Sequence, residues 1–183
     1  MIRSRALLFC AAAVLLVAAP ARAQVTSEPI AGVTNFHRLE STVACAGATT
    51  PEALRALKQM GFASVVNLRE ASEPNANIDA EAAAATAAGL RFVHLPLNRE
   101  SPSPAVADRF LVAARDPANL PMFIHCASGN RAAAMWLIKR AVVDGWPLDR
   151  ATAEAEKLGL EHEPWKQFAR DYVKAHKGSI PRP

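Results

Sequence analysis

The sequence is poor in the residues and motifs that define several common classes of protein. It has only three cysteines and eight glycines in 183 residues, and it contains neither a glycine-rich dinucleotide fingerprint nor a nucleotide-binding P-loop. A metal site also lacks support, because His162 with Glu161 and Glu163 has no further ligand cluster to join. We therefore expect neither a cofactor nor a bound metal.

Residues 1–23 have the pattern of a secretory signal peptide. Arg3 and Arg5 precede an uncharged apolar core at 6–19, and Ala21-Arg22-Ala23 fits a small-x-small cleavage site. The apolar core is shorter than the roughly 20 residues that a membrane-spanning helix needs. We therefore expect cleavage after Ala23 and a periplasmic or secreted protein with no membrane attachment.

The remaining chain lacks an excess of charge of either sign. Three of the 21 basic residues lie in the signal peptide, which has no acidic residue, so residues 24–183 carry a net charge of +1. This balance gives no sign of a nucleic-acid or membrane-surface binder. The length suits one domain with a sizeable core. We divide it into a flexible leader (24–34), a folded domain (35–177) and a tail (178–183).

Short apolar runs alternate with helical segments along the folded domain. Gly61 and Gly89 end two of the helices, and the apolar runs are short and rich in β-branched residues. This alternation predicts an α/β fold with a mostly parallel central sheet flanked by helices, in which ligands bind beyond the carboxyl ends of the strands. The predicted strands are 62–68, 91–97 and 122–125, and the predicted helices are 50–60, 78–88, 104–115, 131–143, 148–158 and 164–176.

The segment 121–131 (PMFIHCASGNR) carries the strongest functional pattern. An apolar run ends in His125 and Cys126, a loop containing Gly129 follows, and Arg131 opens a helix. Loop amides, a helix N-terminus and a guanidinium group around one thiol attract an anion and favour the nucleophilic thiolate. We expect His125 to be a buried hydrogen-bonding residue that orients this loop.

Two cysteines, Cys45 and Cys126, remain after cleavage, in a compartment where disulfides form. A structural bridge between them and a reversible, inhibitory bridge both remain open at this point. We favour Cys45 as a small buried residue and Cys126 as a reactive thiol.

The stretch His125-Cys-Ala-Ser-Gly-Asn-Arg131 resembles the signature loop of the cysteine-dependent phosphatase superfamily. Over about 39–143 the chain is similar to the bacterial phosphatase-like domain of beta-lactamase-hydrolase-like proteins, through AGATTPEALRALKQMGFASVVNLRE, AAGLRFVHLPL and PMFIHCASGNRAAAMWLI in that order. The resemblance implies a single domain with the dual-specificity phosphatase fold. It also implies metal-free hydrolysis of phosphate monoesters, with a phosphorylated small molecule or protein as substrate.

The resemblance further implies a role for each site residue. Cys126 would form a cysteinyl-phosphate intermediate, and Arg131 with the loop amides would bind the phosphoryl oxygens. Arg69, in the matching sequence NLR, would be a supporting or substrate-facing residue. The residues expected to bind substrate are Arg69, His125, Ala127, Ser128, Gly129 and Asn130. The family's general acid lies about 30 residues before the cysteine, where Glu100 is the only carboxyl; Asp108, in the following helix, is a second choice.

Two departures from that family leave other functions open. Four residues, rather than five, separate Cys126 from Arg131, and Ala132 stands where many phosphatases have a hydroxyl side chain that helps the thiolate leave. The shorter spacing resembles the active loop of rhodanese-type sulfurtransferases, which carry sulfur as a persulfide on the cysteine. The alternatives are therefore a sulfurtransferase that uses Cys126 and an inactive module that binds anions or phosphoproteins.

Overall fold

The computed structural model of the protein describes residues 24–176, so the predicted signal peptide and the tail at 178–183 lie outside the described residues. Strands and helices alternate along most of this range. The strands are β1 (Val25–Ser27), β2 (His37–Leu39), β3 (Val43–Ala46), β4 (Ser64–Asn67), β5 (Arg91–His94) and β6 (Met122–His125). The helices are α1 (Leu54–Gln59), α2 (Ile78–Ala88), α3 (Pro104–Arg115), α4 (Asn130–Val142), α5 (Leu148–Lys157) and α6 (Glu163–His176).

The strands form one sheet in the order β1-β2-β3-β6-β4-β5. Strands β3, β6, β4 and β5 are parallel, whereas β1 and β2 add an antiparallel edge. The predicted α/β fold with a mostly parallel sheet and flanking helices is therefore confirmed. Strand β6 lies between β3 and β4, so its carboxyl end opens at the centre of the edge where α/β proteins bind ligands.

The first three strands are not visible in the sequence pattern. Residues 24–34, predicted to be a flexible leader, contain β1, which pairs Val25 with Leu39 of β2. Strand β3 has the sequence VACA, whose small residues give little hydrophobic contrast, and β1 and β2 have only three residues each. Such short elements are recognisable only by the backbone pairing that the folded sheet provides.

Two apolar layers cover the sheet. On one side α4 lies against the strands and beneath α5 and α6, and its residues from Arg131 to Ile138 are all buried. Three consecutive alanines, 132–134, are fully buried and allow this close approach. On the other side Phe36, Phe62 and Phe123 pack together under α1 and α2. The core thus fixes β6 and α4, the two elements that the loop 126–129 connects.

No helix within residues 24–176 is both long and apolar enough to cross a lipid bilayer.

Candidate active site

Cys126 is the first residue after β6, and the two neighbouring strands hold its backbone. Its N–H donates to the carbonyl of Ala46 at the end of β3, at 3.2 Å. The carbonyl of His125 accepts the N–H of Leu68 just after β4, at 3.0 Å. Cys126 is 1% exposed. The thiol is therefore fixed between the carboxyl ends of two parallel strands.

The loop 127–130 folds back over the Cys126 sulfur. Gly129 has a φ of +99°, a conformation that side chains rarely adopt, and its N–H donates to Sγ of Cys126 at 3.1 Å. Helix α4 begins at Asn130, so its positive N-terminal end lies beside the same sulfur. Donors in this arrangement stabilise negative charge on sulfur or on an oxyanion bound above it.

Residues 35 and 48 hold the outer edge of the loop 127–130 by hydrogen bonds to its carbonyl groups. The carbonyl of Ala127 accepts the N–H of Ala48 at 3.0 Å, and that of Ser128 accepts Nδ2 of Asn35 at 3.1 Å. Both carbonyls are thus tied to the outside of the loop, and the N–H of Gly129 is the loop amide that contacts the cysteine. This is the arrangement in which the predicted backbone amides could bind an anion.

Asn130 connects the loop to the C-terminal helices. Its Oδ1 accepts the backbone N–H groups of Glu161 and His162, at 2.8 and 2.7 Å. The side chain thus anchors the start of α4, and only the backbone of Asn130 is available to a substrate. The exposed His162 lies beside this anchor.

Within residues 24–176 no cluster of three or more His, Cys, Asp or Glu residues is arranged to hold a metal ion.

Arg131 is buried beneath the loop in a fixed orientation. Its Nη1 and Nη2 donate to the two carboxylate oxygens of Glu73 at 2.6 and 2.7 Å, and Nη1 also donates to the carbonyls of Leu68 and Leu97 at 3.0 and 2.9 Å. Burial alone would lower the pKa of Arg131, but Glu73 and the nearby Cys126 sulfur outweigh it and raise that pKa. Nε, with the outer N–H of Nη2, forms a second fork that bonds to no oxygen within residues 24–176, while the guanidinium lies close enough to interact with the Cys126 sulfur. A fork of this shape suits a tetrahedral anion.

Glu73 was not singled out by the sequence, where it appears as one charge in a polar loop. Its side chain is 9% exposed. Burial favours the neutral carboxyl, but the hydrogen bonds from Arg131 and from the N–H of Glu70 outweigh burial, so the pKa of Glu73 lies below its ordinary value. The only sequence signal for Glu73 is its position a few residues after the NLR motif, and that signal is weak.

Arg69 points toward the turn at residues 73–75 and away from open solvent. The residue is 4% exposed, and its guanidinium donates to the carbonyls of Pro74 and Asn75 and, at 3.5 Å, to Glu73. Arg69 therefore fixes the turn that carries Glu73. Of the two roles expected for it, these contacts suit the supporting one.

Glu100 lies on the exposed loop that follows β5. Oδ1 of Asn98 accepts the N–H of Glu100 at 2.9 Å, and Nδ2 of Asn98 donates to both carboxylate oxygens of Glu70 at 3.0 and 3.1 Å. The loop is thus tied to the end of β4, and the Glu100 side chain is exposed. Asp108 points elsewhere, because it accepts the hydroxyl of Tyr172 on α6.

Three buried polar side chains lie under the strand ends on the α2 side of the sheet. Nε2 of His125 lies 2.7 Å from Oε1 of Glu81, and Nδ2 of Asn67 donates to Oε2 of Glu81 at 2.7 Å. None is more than 1% exposed. The alanine-rich helical pattern around Glu81 gave no indication that this residue would face inward.

Cys45 and Cys126 are both free thiols. Cys45 is fully buried on β3, and burial, with smaller contributions from Cys126 and Glu154, raises its pKa well above the ordinary value. Both cysteines face the same apolar cluster. Neither bridge left open by the sequence is formed in this structure.

The family model described as "DSP-PTPase phosphatase fused to NAD+ Kinase" matches residues 14–169. No curated protein sequence matches the chain. Among solved structures, the chain is similar to a DUF442 protein from Shewanella putrefaciens CN-32, with 20% identity, a TM-score of 0.66, and coverage of 79% of this chain and 95% of that one.

Two further solved structures have a similar fold. TpbA from P. aeruginosa is 20% identical, with a TM-score of 0.63 over 86% of this chain and 92% of that one; it has also been solved with pTyr. The core catalytic domain of the PP-IP phosphatase SIW14 from S. cerevisiae is 17% identical, with a TM-score of 0.62 over 79% of this chain and 88% of that one. The family model covers most of the chain, which therefore belongs to the DSP-PTPase phosphatase family of that description, within the cysteine-dependent phosphatase superfamily.

Proposed function

We propose that this protein is an exported phosphatase that hydrolyses phosphate monoesters through a cysteinyl-phosphate intermediate. The observation that carries the proposal is the pairing of Cys126 with two sets of donors. Gly129 donates to the sulfur, while the buried Arg131 keeps one fork of its guanidinium for an anion. A nucleophile, an oxyanion site and a fixed cation are the components that phosphoryl transfer requires.

In the first step the Cys126 thiolate attacks phosphorus in line with the ester oxygen. The S–P bond forms as the P–O bond to the leaving group breaks, and the leaving oxygen takes a proton. The phosphoryl oxygens lie against the N–H groups of the 127–130 loop and the free fork of Arg131. In the second step water attacks phosphorus, loses a proton, and the S–P bond breaks, releasing inorganic phosphate and restoring the thiolate.

We assign the proton transfers to Glu100. It would protonate the leaving oxygen in the first step and accept the proton of water in the second. Its backbone is held by Asn98, and the neighbouring Leu97 contacts Arg131 through its carbonyl, so this loop borders the site. Glu100→Gln should lower kcat/KM, which reports the first step, about 100-fold toward an alkyl phosphate and much less toward p-nitrophenyl phosphate, since nitrophenolate leaves without a proton. Equal losses for both substrates would remove Glu100 from this role.

The proposed substrates are phosphotyrosine in a protein or a small aryl phosphate. TpbA, which shares the fold, has been solved with pTyr, and a phenolate is a better leaving group than the alkoxide of an alkyl ester. We further propose that the protein acts in the periplasm or outside the cell, since residues 1–23 have the pattern of a signal peptide. N-terminal sequencing of the protein from periplasm and medium tests this, with Gln24 expected first.

A sulfurtransferase is the competing function, favoured by the four-residue spacing between Cys126 and Arg131. A shorter loop offers one amide fewer, which suits sulfane sulfur better than a phosphoryl group. The purified protein should be assayed with p-nitrophenyl phosphate and, separately, with thiosulfate plus cyanide.

The matched variants are Cys126→Ser and Cys45→Ser. Phosphate release that disappears in the first and persists in the second supports the phosphatase, and intact mass spectrometry should then show a phosphoryl adduct on Cys126. Thiocyanate formation and a gain of one sulfur atom would replace the phosphatase with the sulfurtransferase. Phosphate binding without either reaction would indicate an inactive anion-binding module.

A further inference from the structure

The buried cluster of Asn67, Glu81 and His125 forms a polar island inside an apolar layer. The His125 ring stacks on Phe123 with centroids 5.7 Å apart, and Phe123 belongs to the aromatic cluster under α1 and α2. Each oxygen of the Glu81 carboxylate has one partner, and Nδ1 of His125 has none within residues 24–176. The cluster therefore places a carboxylate and an imidazole where solvent does not reach.

Such a cluster contributes little to stability by itself. Desolvating a carboxylate is costly, and a buried ion pair is often no more stabilising than apolar side chains of equal volume. Neighbouring positions on the same face of the sheet, such as Val65 and Phe123, show that apolar side chains fit this layer. The polar residues at the strand ends are thus better explained by what they hold in place.

Glu81 connects the two strands from which the catalytic groups extend. Through His125 it reaches the residue directly before Cys126. Through Asn67 it reaches the last residue of β4. Oδ1 of Asn67 also accepts the N–H of Arg69 at 2.7 Å. Between Asn67 and Arg69 lies Leu68, whose carbonyl accepts Nη1 of Arg131. One carboxylate on α2 therefore bonds to a side chain at the end of each of these two paired strands.

We propose that Glu81 is a positioning residue that acts on Cys126 through His125. Its carboxylate fixes the imidazole and, with it, the last residue of β6, so that the thiolate stays under the N–H of Gly129. The effect on turnover rests on the proposed phosphatase activity, whereas the effect on thiol reactivity does not. Glu81 touches neither the substrate nor the reacting sulfur in this scheme.

The test compares Glu81→Gln with Asp79→Asn, which makes the same chemical change at an exposed position of α2. Gln keeps the size of Glu81, but it removes the charge and presents a donor to one of its two partners. Each variant is measured for thermal stability, for kcat and KM with p-nitrophenyl phosphate, and for the rate at which iodoacetamide alkylates Cys126 between pH 5 and 8. Peptide mass mapping identifies the alkylated thiol.

We expect Glu81→Gln to lower kcat about 10-fold or more, because small displacements of a reacting group are costly, with KM within about twofold. The rate of Cys126 alkylation should fall in the same variant, because the sulfur is then no longer held beside the N–H of Gly129. His125→Gln should show the same changes, and the double variant should lose no more than either single one.

Several results would overturn the proposal. They are a folded Glu81→Gln protein whose kcat and alkylation profile equal those of Asp79→Asn, a loss confined to KM, or additive losses in the double variant. If Glu81→Gln does not fold, His125→Gln decides by the same measurements. If the unchanged protein does not hydrolyse the ester, the proposed function fails, while the alkylation profiles still decide the role of Glu81.

Discussion

Replacing Glu73 with Gln should damage both the stability and the activity of this protein. Glu73 and Arg131 form a two-bond pair with side chains 9% and 3% exposed. Removing one partner of a buried pair costs about 3–5 kcal/mol. Gln keeps one acceptor oxygen for the guanidinium of Arg131, although its amide N–H group then faces Nη2. Because that one acceptor remains, we expect a loss at the lower end of this range. A loss of about 3 kcal/mol corresponds to a melting temperature roughly 6–12 °C lower for a domain of this size.

The loss of activity should exceed what unfolding explains. Without the second carboxylate oxygen the guanidinium of Arg131 is no longer fixed at both ends, and its free fork no longer faces the loop. We expect kcat/KM with p-nitrophenyl phosphate to fall about 100-fold, or about 2.7 kcal/mol. The assay is run well below the melting temperature of the variant, with far-ultraviolet circular dichroism to verify folding.

The matched control is Glu163→Gln, which makes the same change in a surface pair with Arg170. Those side chains are 68% and 34% exposed, so solvent screens the pair and we expect neither stability nor activity to change measurably. A Glu73→Gln protein that matches this control in melting temperature and kcat/KM would refute the reasoning.

The effect of Glu73→Gln on the free energy of unfolding should also depend on pH. The pKa of the Glu73 carboxyl is lower in the folded protein than in the unfolded chain, so its stabilising effect is fully present above the unfolded pKa and is lost as the pH falls through the folded one. The difference in free energy of unfolding between the unchanged protein and Glu73→Gln should therefore be largest near neutral pH and shrink below about pH 4. A difference that grows on acidification would contradict this assignment.

Three further predictions concern the loop and its surroundings. Iodoacetamide at pH 7 should modify Cys126 and spare Cys45 until the protein unfolds, because the N–H of Gly129 donates to the Cys126 sulfur whereas burial raises the pKa of Cys45; equal labelling in the native state would contradict this difference between the two thiols. Gly129→Ala should lose about 1–3 kcal/mol of stability, because a side chain is strained at a φ of +99°, and should lose activity with it; an unchanged melting temperature would count against that strain. Gly47→Ala should also lower activity, since its Cβ would collide with Oγ1 of Thr34 and lie 3.0 Å from the carbonyl oxygen of Ala127, which belongs to the loop; wild-type kcat would show that the loop does not depend on these contacts.

Local sequence patterns were sufficient to predict the central part of the fold. Helices α2 and α3 and strand β6 have the predicted limits, because local signals such as Gly89 at the end of α2 and Pro104 at the start of α3 act within a few residues. The loop around Cys126 was predictable for the same reason, since strand, loop and helix follow one another directly. The short strands at the N-terminal edge of the sheet were not, because their pairing partners supply the information.

The supports of the site were beyond prediction from this one sequence. Glu73 lies 58 positions from Arg131 and Glu81 lies 44 from His125, and only the folded chain brings these pairs together. On a helix rich in alanine, nothing in the local pattern distinguishes an inward Glu81 from an outward Asp79. Chemistry that resides in one loop can be read from a sequence, whereas the groups that orient it are contributed by distant segments.

Oδ1 of Asn130 accepts the backbone N–H groups of residues 161 and 162, and these two bonds connect the loop 127–130 to the last two helices. Neither α5 nor α6 carries a residue of the proposed reaction, yet the turn that joins them fastens the first residue of α4. Shortening the protein before this turn would leave Cys126 and Arg131 in the polypeptide while releasing one side of the loop that surrounds the sulfur. We therefore expect the smallest fragment with the proposed activity to include α5 and α6.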